Sequence, residues 1–253
     1  MTQIEITFDP PEDRDVAPAQ IGDDMVWLPG VDLPVKMPQS HGPQPQRARR
    51  LKKVIDDIWE LTHDRHAFDK ACEMWLITLR RFESGADDRE KRYLEIVDQW
   101  GRAAVQKVVE GLAILVDHFR DHGGFYDLLG QTYELCADDW GGQVLGQYFT
   151  PWHAARMMAR QTMEGVKDRI DAGETVTVHD PACGSGVMLL AAKSVVAARC
   201  GRRALHQLQC YGQDIDPICC TMARIQERMS NVPWLLNLYT ATYAQAANNQ
   251  KTT

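Results

Sequence analysis

The sequence predicts an α/β protein, in which an N-terminal helical domain is followed by a partial, truncated doubly wound domain. Apolar residues recur at helical spacing through the first half of the chain. In the second half, β-branched runs alternate with helical stretches. A glycine-containing turn, Asp180 to Gly186, joins the first of these runs to the helix that follows it. Strand, glycine turn and helix in this order are typical of a domain that holds a nucleotide-like cofactor.

The composition is that of an ordinary globular protein, with 253 residues, 44% hydrophobic and 25% charged. A net charge of -7 and a pI near 5.6 do not support tight nucleic-acid binding by this chain alone. The seven cysteines form no CxxC pair, which favours free thiols in the cytoplasm. No apolar run approaches the roughly 20 residues that a membrane span needs.

Residues 1–46 are predicted to be an extended, proline-rich arm. Two apolar islands, Ile4–Phe8 and Met25–Leu28, interrupt it, so we expect the arm to pack onto another part of the structure.

Residues 47–142 are predicted to form a helical domain. Leu51, Val54, Ile55 and Ile58 begin the helical spacing. A last helix is expected from Phe125 to Trp140, followed by two glycines that end the domain.

Residues 143–253 are predicted to form the partial doubly wound domain. Pro151 fits the first turn of a helix that runs to about Met163. Strands near 175–179 and 207–213 alternate with helices near 187–200 and 217–229, which indicates parallel strands joined by crossover helices.

The turn supplies the first candidate site. Gly184 and Gly186 allow the main chain to approach a ligand, and the following helix start offers free N–H groups. A turn without a ligand is the ordinary interpretation of such a short motif. Asp214, at the end of the second strand, is placed to accept hydrogen bonds from ribose hydroxyls. Asp216 precedes Pro217, so helix capping and ligand contact both remain open for it.

A third motif, Gly146–Pro151 (GQYFTP), precedes the turn. Its Thr-Pro at a helix start offers a hydroxyl and backbone donors to a carboxylate, although by itself it indicates only a helix start.

The three motifs GQYFTP, DPACGSG and GQDID, in this order, resemble those of the N6-adenine DNA methyltransferases. The likeness is closest to the methylation (M) subunits of type I restriction–modification systems. The segment Asp127–Glu134 (DLLGQTYE) is also similar to those subunits, and the whole resemblance covers about residues 125–230.

The resemblance implies a Rossmann-like domain that binds S-adenosyl-L-methionine. It implies that Thr150 meets the methionine carboxylate, Asp180 the amino group and Asp214 the ribose, while Ile215 packs on the adenine. The cofactor-binding set that it assigns is Gln147, Phe149, Thr150, Asp180, Pro181, Ala182, Cys183, Gly184, Gly186, Asp214, Ile215 and Asp216.

The family's catalytic motif, Asn or Asp followed by Pro-Pro and an aromatic residue, does not follow Asp216. The run Phe8–Glu12 (FDPPE) carries Glu12 where the aromatic residue belongs, so it is interpreted as part of the arm. The sequence therefore predicts no catalytic residue and no metal ligand in this chain.

These expectations combine into the cofactor-binding part of a DNA adenine-N6 methyltransferase of a restriction–modification system, inactive alone. A partner with the missing half or a target-recognition subunit, or a missing C-terminal half, would complete it and bring it to DNA. The alternative is a non-catalytic cofactor-binding or decoy subunit.

A sheet with so few strands leaves an open edge. The arm, the tail Trp234–Tyr239 or another chain could cover it, and we expect another chain or a lost C-terminal half.

Overall fold

The computed structural model describes residues 2–6, 25–26, 35–36, 45–80, 83, 86–121, 124–139 and 149–231. It is mostly helical, and the described strands form two small sheets, one of three strands and one of two. The strands are β1 (Thr2–Ile6), β2 (Met25–Val26), β3 (Val35–Lys36), β4 (Val176–Asp180) and β5 (Leu208–Asp214). The helices are α1 (Pro45–Thr62), α2 (Ala67–Leu79), α3 (Ala86–Asp121), α4 (Leu128–Asp139), α5 (Trp152–Thr162), α6 (Val166–Asp171), α7 (Val187–Cys200) and α8 (Pro217–Asn231), with a 3-10 helix at Arg202–Gln207. In these ranges no helix has the length and apolarity to cross a membrane.

Among the described residues, helices α1 to α4 occupy the region that the periodicity predicts to be helical. Helix α3 is interrupted at Gly101, whose φ of 72° and ψ of 172° are readily reached only by glycine. Helix α4 begins at Leu128 because the Asp127 carboxylate accepts a hydrogen bond from the N–H of Gly130, at 2.9 Å, as an N-cap does.

The predicted βαβα alternation is present from β4 to α8. Strands β4 and β5 are parallel, with Val176 opposite Leu208 and Asp180 opposite Gly212. On the other side of β5, β1 pairs antiparallel and places Thr2 opposite Asp214. Of the candidate covers, the N-terminal arm thus occupies the outer edge of β5, where we expected another chain or a lost C-terminal half. Within the described residues no strand pairs with the opposite edge of β4.

Two hydrophobic cores share helix α8. The first lies among α1 to α4, and the α8 residues Cys219, Met222 and Ile225 close it. The second lies among α5, α6, α7 and the two parallel strands, and α8 contributes Cys220 and Ala223 to it. The predicted boundary near residue 142 stays a prediction, and α8 packs on the parts of the chain on both sides of it.

Polar clusters also link helices inside the structure. Between α7 and α8, Lys193 and Glu227 form an ion pair at 2.6 Å, with 4% and 7% of their side chains exposed. Before α2, Asp64 accepts hydrogen bonds from Lys70 and Trp100. Burial acts to raise the pKa of Asp64, but these donors outweigh it and lower the pKa to about 2.

Candidate cofactor-binding site

The turn between β4 and α7 has the backbone that its glycines predict. Gly184 and Gly186 have φ of 52° and 94°, in the left-handed region that favours glycine. Gly186 is the residue before α7, and a Cβ on it would lie 3.0 Å from Ala223 of α8. The N–H of Cys183 donates to the carbonyl of Gln213 at 2.8 Å, which ties the turn to β5.

Phe149 covers the turn. Two atoms of its ring lie 2.8 and 2.9 Å from the position that a Cβ on Gly184 would occupy. Its N–H donates to the carboxylate of Glu134 on α4 at 3.1 Å, which holds the segment in place. Thr150 follows, half-buried, and Pro151 is the residue immediately before α5. Gln147 lies outside the described residues.

Asp214 reaches the same turn from the end of β5. One carboxylate oxygen accepts the N–H of Gly184 at 2.8 Å, and the other accepts the N–H of Asp216 at 2.9 Å. Each oxygen has a second lone pair that can accept a further hydrogen bond. The next residue, Ile215, is 92% exposed, so its apolar surface is available to a ligand.

Two further acidic residues lie at the ends of the strands. Asp216 accepts the N–H of Ile218 at 3.1 Å at the start of α8, so it performs the capping role that the sequence left open. Asp180 ends β4 half-buried and accepts the N–H of Ala182 at 3.1 Å. Pro181 and Ala182 are exposed beside it.

The electrostatic potential at the turn is negative, because acidic side chains lie close to it. Burial, followed by the charges of Cys220, Asp180 and Asp214, raises the pKa of Cys183 to about 12. The Cys183 thiol is therefore neutral at physiological pH and cannot act as a thiolate nucleophile. A cationic ligand would meet a favourable potential here. No group of three or more potential metal ligands occurs in the described part of the chain.

A buried polar network lies directly behind the turn. The Ser185 hydroxyl donates to Asp127 at 2.7 Å, and Gln226 of α8 donates to both Asp127 and the Ser185 carbonyl at 2.8 Å. Burial raises the pKa of Asp127, although its hydrogen-bond donors act to lower it. Sequence reasoning missed this network, although Asp127 and Ser185 both lie in the motifs that carry the resemblance.

The turn lies at the carboxyl ends of β4 and β5. A cavity of about 250 Å³ lies elsewhere, between α5 and α7, and is lined by Arg156, Arg160, Arg199 and neighbouring α7 residues. We place the candidate site at the turn because Phe149, Gly184 and Asp214 meet there, whereas no described motif residue lines the cavity.

Comparison with known proteins gives a family match and a curated relative. Residues 125–239 match the model of the N-6 DNA methylase family. The predicted resemblance to the N6-adenine DNA methyltransferases is thereby confirmed for this segment. A curated relative, the type I restriction enzyme MpnII methylase subunit of Mycoplasma pneumoniae, is 29% identical over 111 residues.

The match to the MpnII methylase subunit covers 43% of this chain and 19% of that protein, so the chain spans about a fifth of the relative's length. No solved structure matches the chain. The segment that matches the family model begins just before α4 and contains the turn, Phe149, Asp214 and α8, so it includes every described residue of the candidate site.

Proposed function

We propose that this chain is the S-adenosyl-L-methionine-binding part of a DNA adenine-N6 methyltransferase, acting in site-specific DNA methylation and restriction–modification. One observation carries the proposal: Phe149, Gly184 and Asp214, from three separate motifs, meet at one turn. A helix-packing role would not need a glycine under an aromatic ring and a carboxylate on its N–H. The match to the N-6 DNA methylase family supplies the reaction class.

The residues at the turn suit the chemistry of this cofactor. It carries a sulfonium and an ammonium group, and Asp180 and Asp214 supply negative charge on the two sides of the turn. The free lone pairs of Asp214 would accept the ribose hydroxyls, and exposed Ile215 would pack on the adenine. Thr150 would meet the carboxylate of the cofactor. When bound, the cofactor supplies the methyl group that is transferred to the adenine N6.

We propose the Rossmann-like architecture for the second domain on the same basis. Strands β4 and β5 are parallel, α7 connects them, and the turn lies at their carboxyl ends, where open α/β sheets bind ligands. The free edge of β4 within the described residues would accept a further strand.

The proposal assigns the catalytic step to residues outside this chain. No Asn or Asp followed by Pro-Pro and an aromatic residue occurs after Asp216. A partner polypeptide, or a further segment of a longer protein, would supply that motif and the contacts to DNA. A cytoplasmic location fits the seven free cysteines, since reducing compartments keep thiols reduced.

The test is calorimetric titration of the chain with S-adenosyl-L-methionine. We expect one site, weakened about tenfold or more by Asp214→Ala, because about 1.4 kcal/mol of lost contacts gives that factor. Asp98→Ala removes a carboxylate from the exposed surface of α3 and serves as the charge-matched control. No binding by the native chain, or equal affinity of the two variants, would contradict the proposal.

Methyl transfer to an adenine-containing duplex separates the enzyme part from a non-catalytic subunit. We expect no transfer by the chain alone. A methyltransferase half carrying the Pro-Pro-aromatic motif should restore transfer if the chain is an enzyme part. Cofactor binding without turnover under all these conditions would favour the non-catalytic cofactor-binding or decoy subunit.

A further inference from the structure

Helix α4 and the residue before it are linked to the glycine turn in two ways, one direct and one through Phe149. At its N-terminus, Asp127 accepts the hydroxyl hydrogen of Ser185. Seven residues later, Glu134 accepts the N–H of Phe149, whose ring covers Gly184. Seven residues are close to two turns of a helix, or about 10 Å, so both contacts lie on the same face of α4.

The first contact is buried and its amide is fully hydrogen-bonded. Asp127, Ser185 and Gln226 are 3%, 0% and 0% exposed. The Gln226 side-chain oxygen accepts the N–H groups of Leu128 and Leu129, while its nitrogen donates to Asp127 and to the Ser185 carbonyl. A primary amide has two donors and two acceptor lone pairs, and all four are used here. Such a network is cooperative, so the loss of one member weakens the rest.

The turn needs this external support because of its own composition. Ser185 lies between two glycines, which have more backbone freedom than any other residue. Fixing them in the conformation that a ligand requires costs conformational entropy. Bonds to both the side chain and the carbonyl of Ser185 fix the middle of the turn before any ligand arrives.

We propose that α4 positions the cofactor turn, with Asp127, Gln226 and Glu134 as positioning residues for S-adenosyl-L-methionine. This inference rests on the proposed function. None of the three touches the cofactor: Asp127 and Gln226 act through Ser185, and Glu134 acts through Phe149. The cofactor site is in this way built in part by a helix that packs in the first core.

Ser185→Ala is the central variant, and Ser194→Ala is its matched control. Both serines are buried and both hydroxyls donate at 2.7 Å, but Ser194 donates to the Ala191 carbonyl within α7. We expect Ser185→Ala to weaken cofactor binding about tenfold, the effect of losing a hydrogen bond to a charged group. Ser194→Ala should stay within about twofold of the native affinity while losing comparable thermal stability.

Asp127→Asn tests whether geometry or charge matters. The asparagine oxygen can keep the bonds from Gly130 and Gln226, and its amide can donate to the Ser185 hydroxyl. We expect Asp127→Asn to retain cofactor affinity within a few-fold and Asp127→Ala to lose it about tenfold or more. Equal losses for the Asn and Ala variants would overturn the positioning role.

Hydrogen exchange in the unliganded protein distinguishes failure of this inference from failure of the proposed function. The N–H groups of Cys183, Gly184 and Gly186 are hydrogen-bonded, so their exchange reports on the turn. Ser185→Ala should accelerate this exchange and Ser194→Ala should not. If the native chain binds no cofactor, the proposed function fails and exchange still tests the positioning. If cofactor binds but Ser185→Ala matches Ser194→Ala in affinity and exchange, positioning by α4 is wrong.

Discussion

Replacing Gly184 by alanine tests the packing of Phe149 on the turn. The new Cβ would lie 2.8 and 2.9 Å from two atoms of the Phe149 ring, closer than carbon atoms approach without repulsion. The residue would also keep a φ of 52°, which is unfavourable for alanine. Either the ring moves away or the turn changes its backbone angles.

The two costs can be separated by magnitude. A left-handed φ costs an L-residue about 1–2 kcal/mol, and overpacking against a ring adds on the order of 1 kcal/mol. Gly165→Ala is the control, because Gly165 has a φ of 74° and, apart from its chain neighbours, no atom of the described residues lies within 4 Å of the position that a Cβ on it would occupy. We expect a loss of about 2–3 kcal/mol for Gly184→Ala and about 1–2 kcal/mol for Gly165→Ala.

Urea unfolding of both variants measures these losses, and calorimetry measures cofactor affinity in parallel. Phe149→Ala combined with Gly184→Ala should recover about 1 kcal/mol relative to the sum of the single changes, because the clash is gone. Equal losses for Gly184→Ala and Gly165→Ala, with no coupling to Phe149, would refute the close packing of ring and turn.

Other variants test the remaining structure. Folding lowers the pKa of Asp64 from 3.8 to about 2, so the ionised carboxylate stabilises the fold above a pH of about 4, and this stability is lost as the pH falls towards 2. In urea unfolding, Asp64→Asn should reduce the loss in the free energy of unfolding between pH 4 and pH 2 by about 1–2 kcal/mol. Lys193→Met should cost about 3–5 kcal/mol by leaving Glu227 buried without its cation, and adding Glu227→Leu should restore most of it. Deleting residues 2–6 should expose the edge of β5 and promote self-association, measured by sedimentation; a monomer as stable as the native chain would argue against this strand pairing.

Much of the fold follows from local patterns. Apolar spacing predicts a helical region over residues 47–142, without the bounds of each helix, and the alternation after Pro151 predicts β4, α7, β5 and α8 within a few residues. The six-residue helix α6 was not predicted, because so short a segment has no measurable period. The arm was one candidate cover of the sheet edge, but its antiparallel register, with Thr2 opposite Asp214, was not predicted, since it joins distant parts of the chain that share no local signal.

The motif residues of the candidate site could be predicted from the sequence, but the residues that hydrogen-bond to the turn from behind could not. Sequence spacing brings Asp214 to the glycine turn because carboxyl ends of parallel strands share one edge. The partners of Ser185 could not be derived in this way. Asp127 immediately precedes α4 and Gln226 belongs to α8, and only tertiary packing brings their polar groups together behind the turn. The residue-by-residue cofactor assignments stay predictions until a ligand is measured.

Because α8 contributes side chains to both cores, the chain cannot be divided near its middle without exposing part of a core. A recombinant fragment ending near residue 142 would lack Met222 and Ile225, and its exposed apolar face would make it prone to precipitate during purification. A fragment starting there would expose Met222 and Ile225 on its surface, because the helices that cover them would be missing. Split-protein designs and crystallisation trials therefore need the stretch from α1 to α8 kept in one piece.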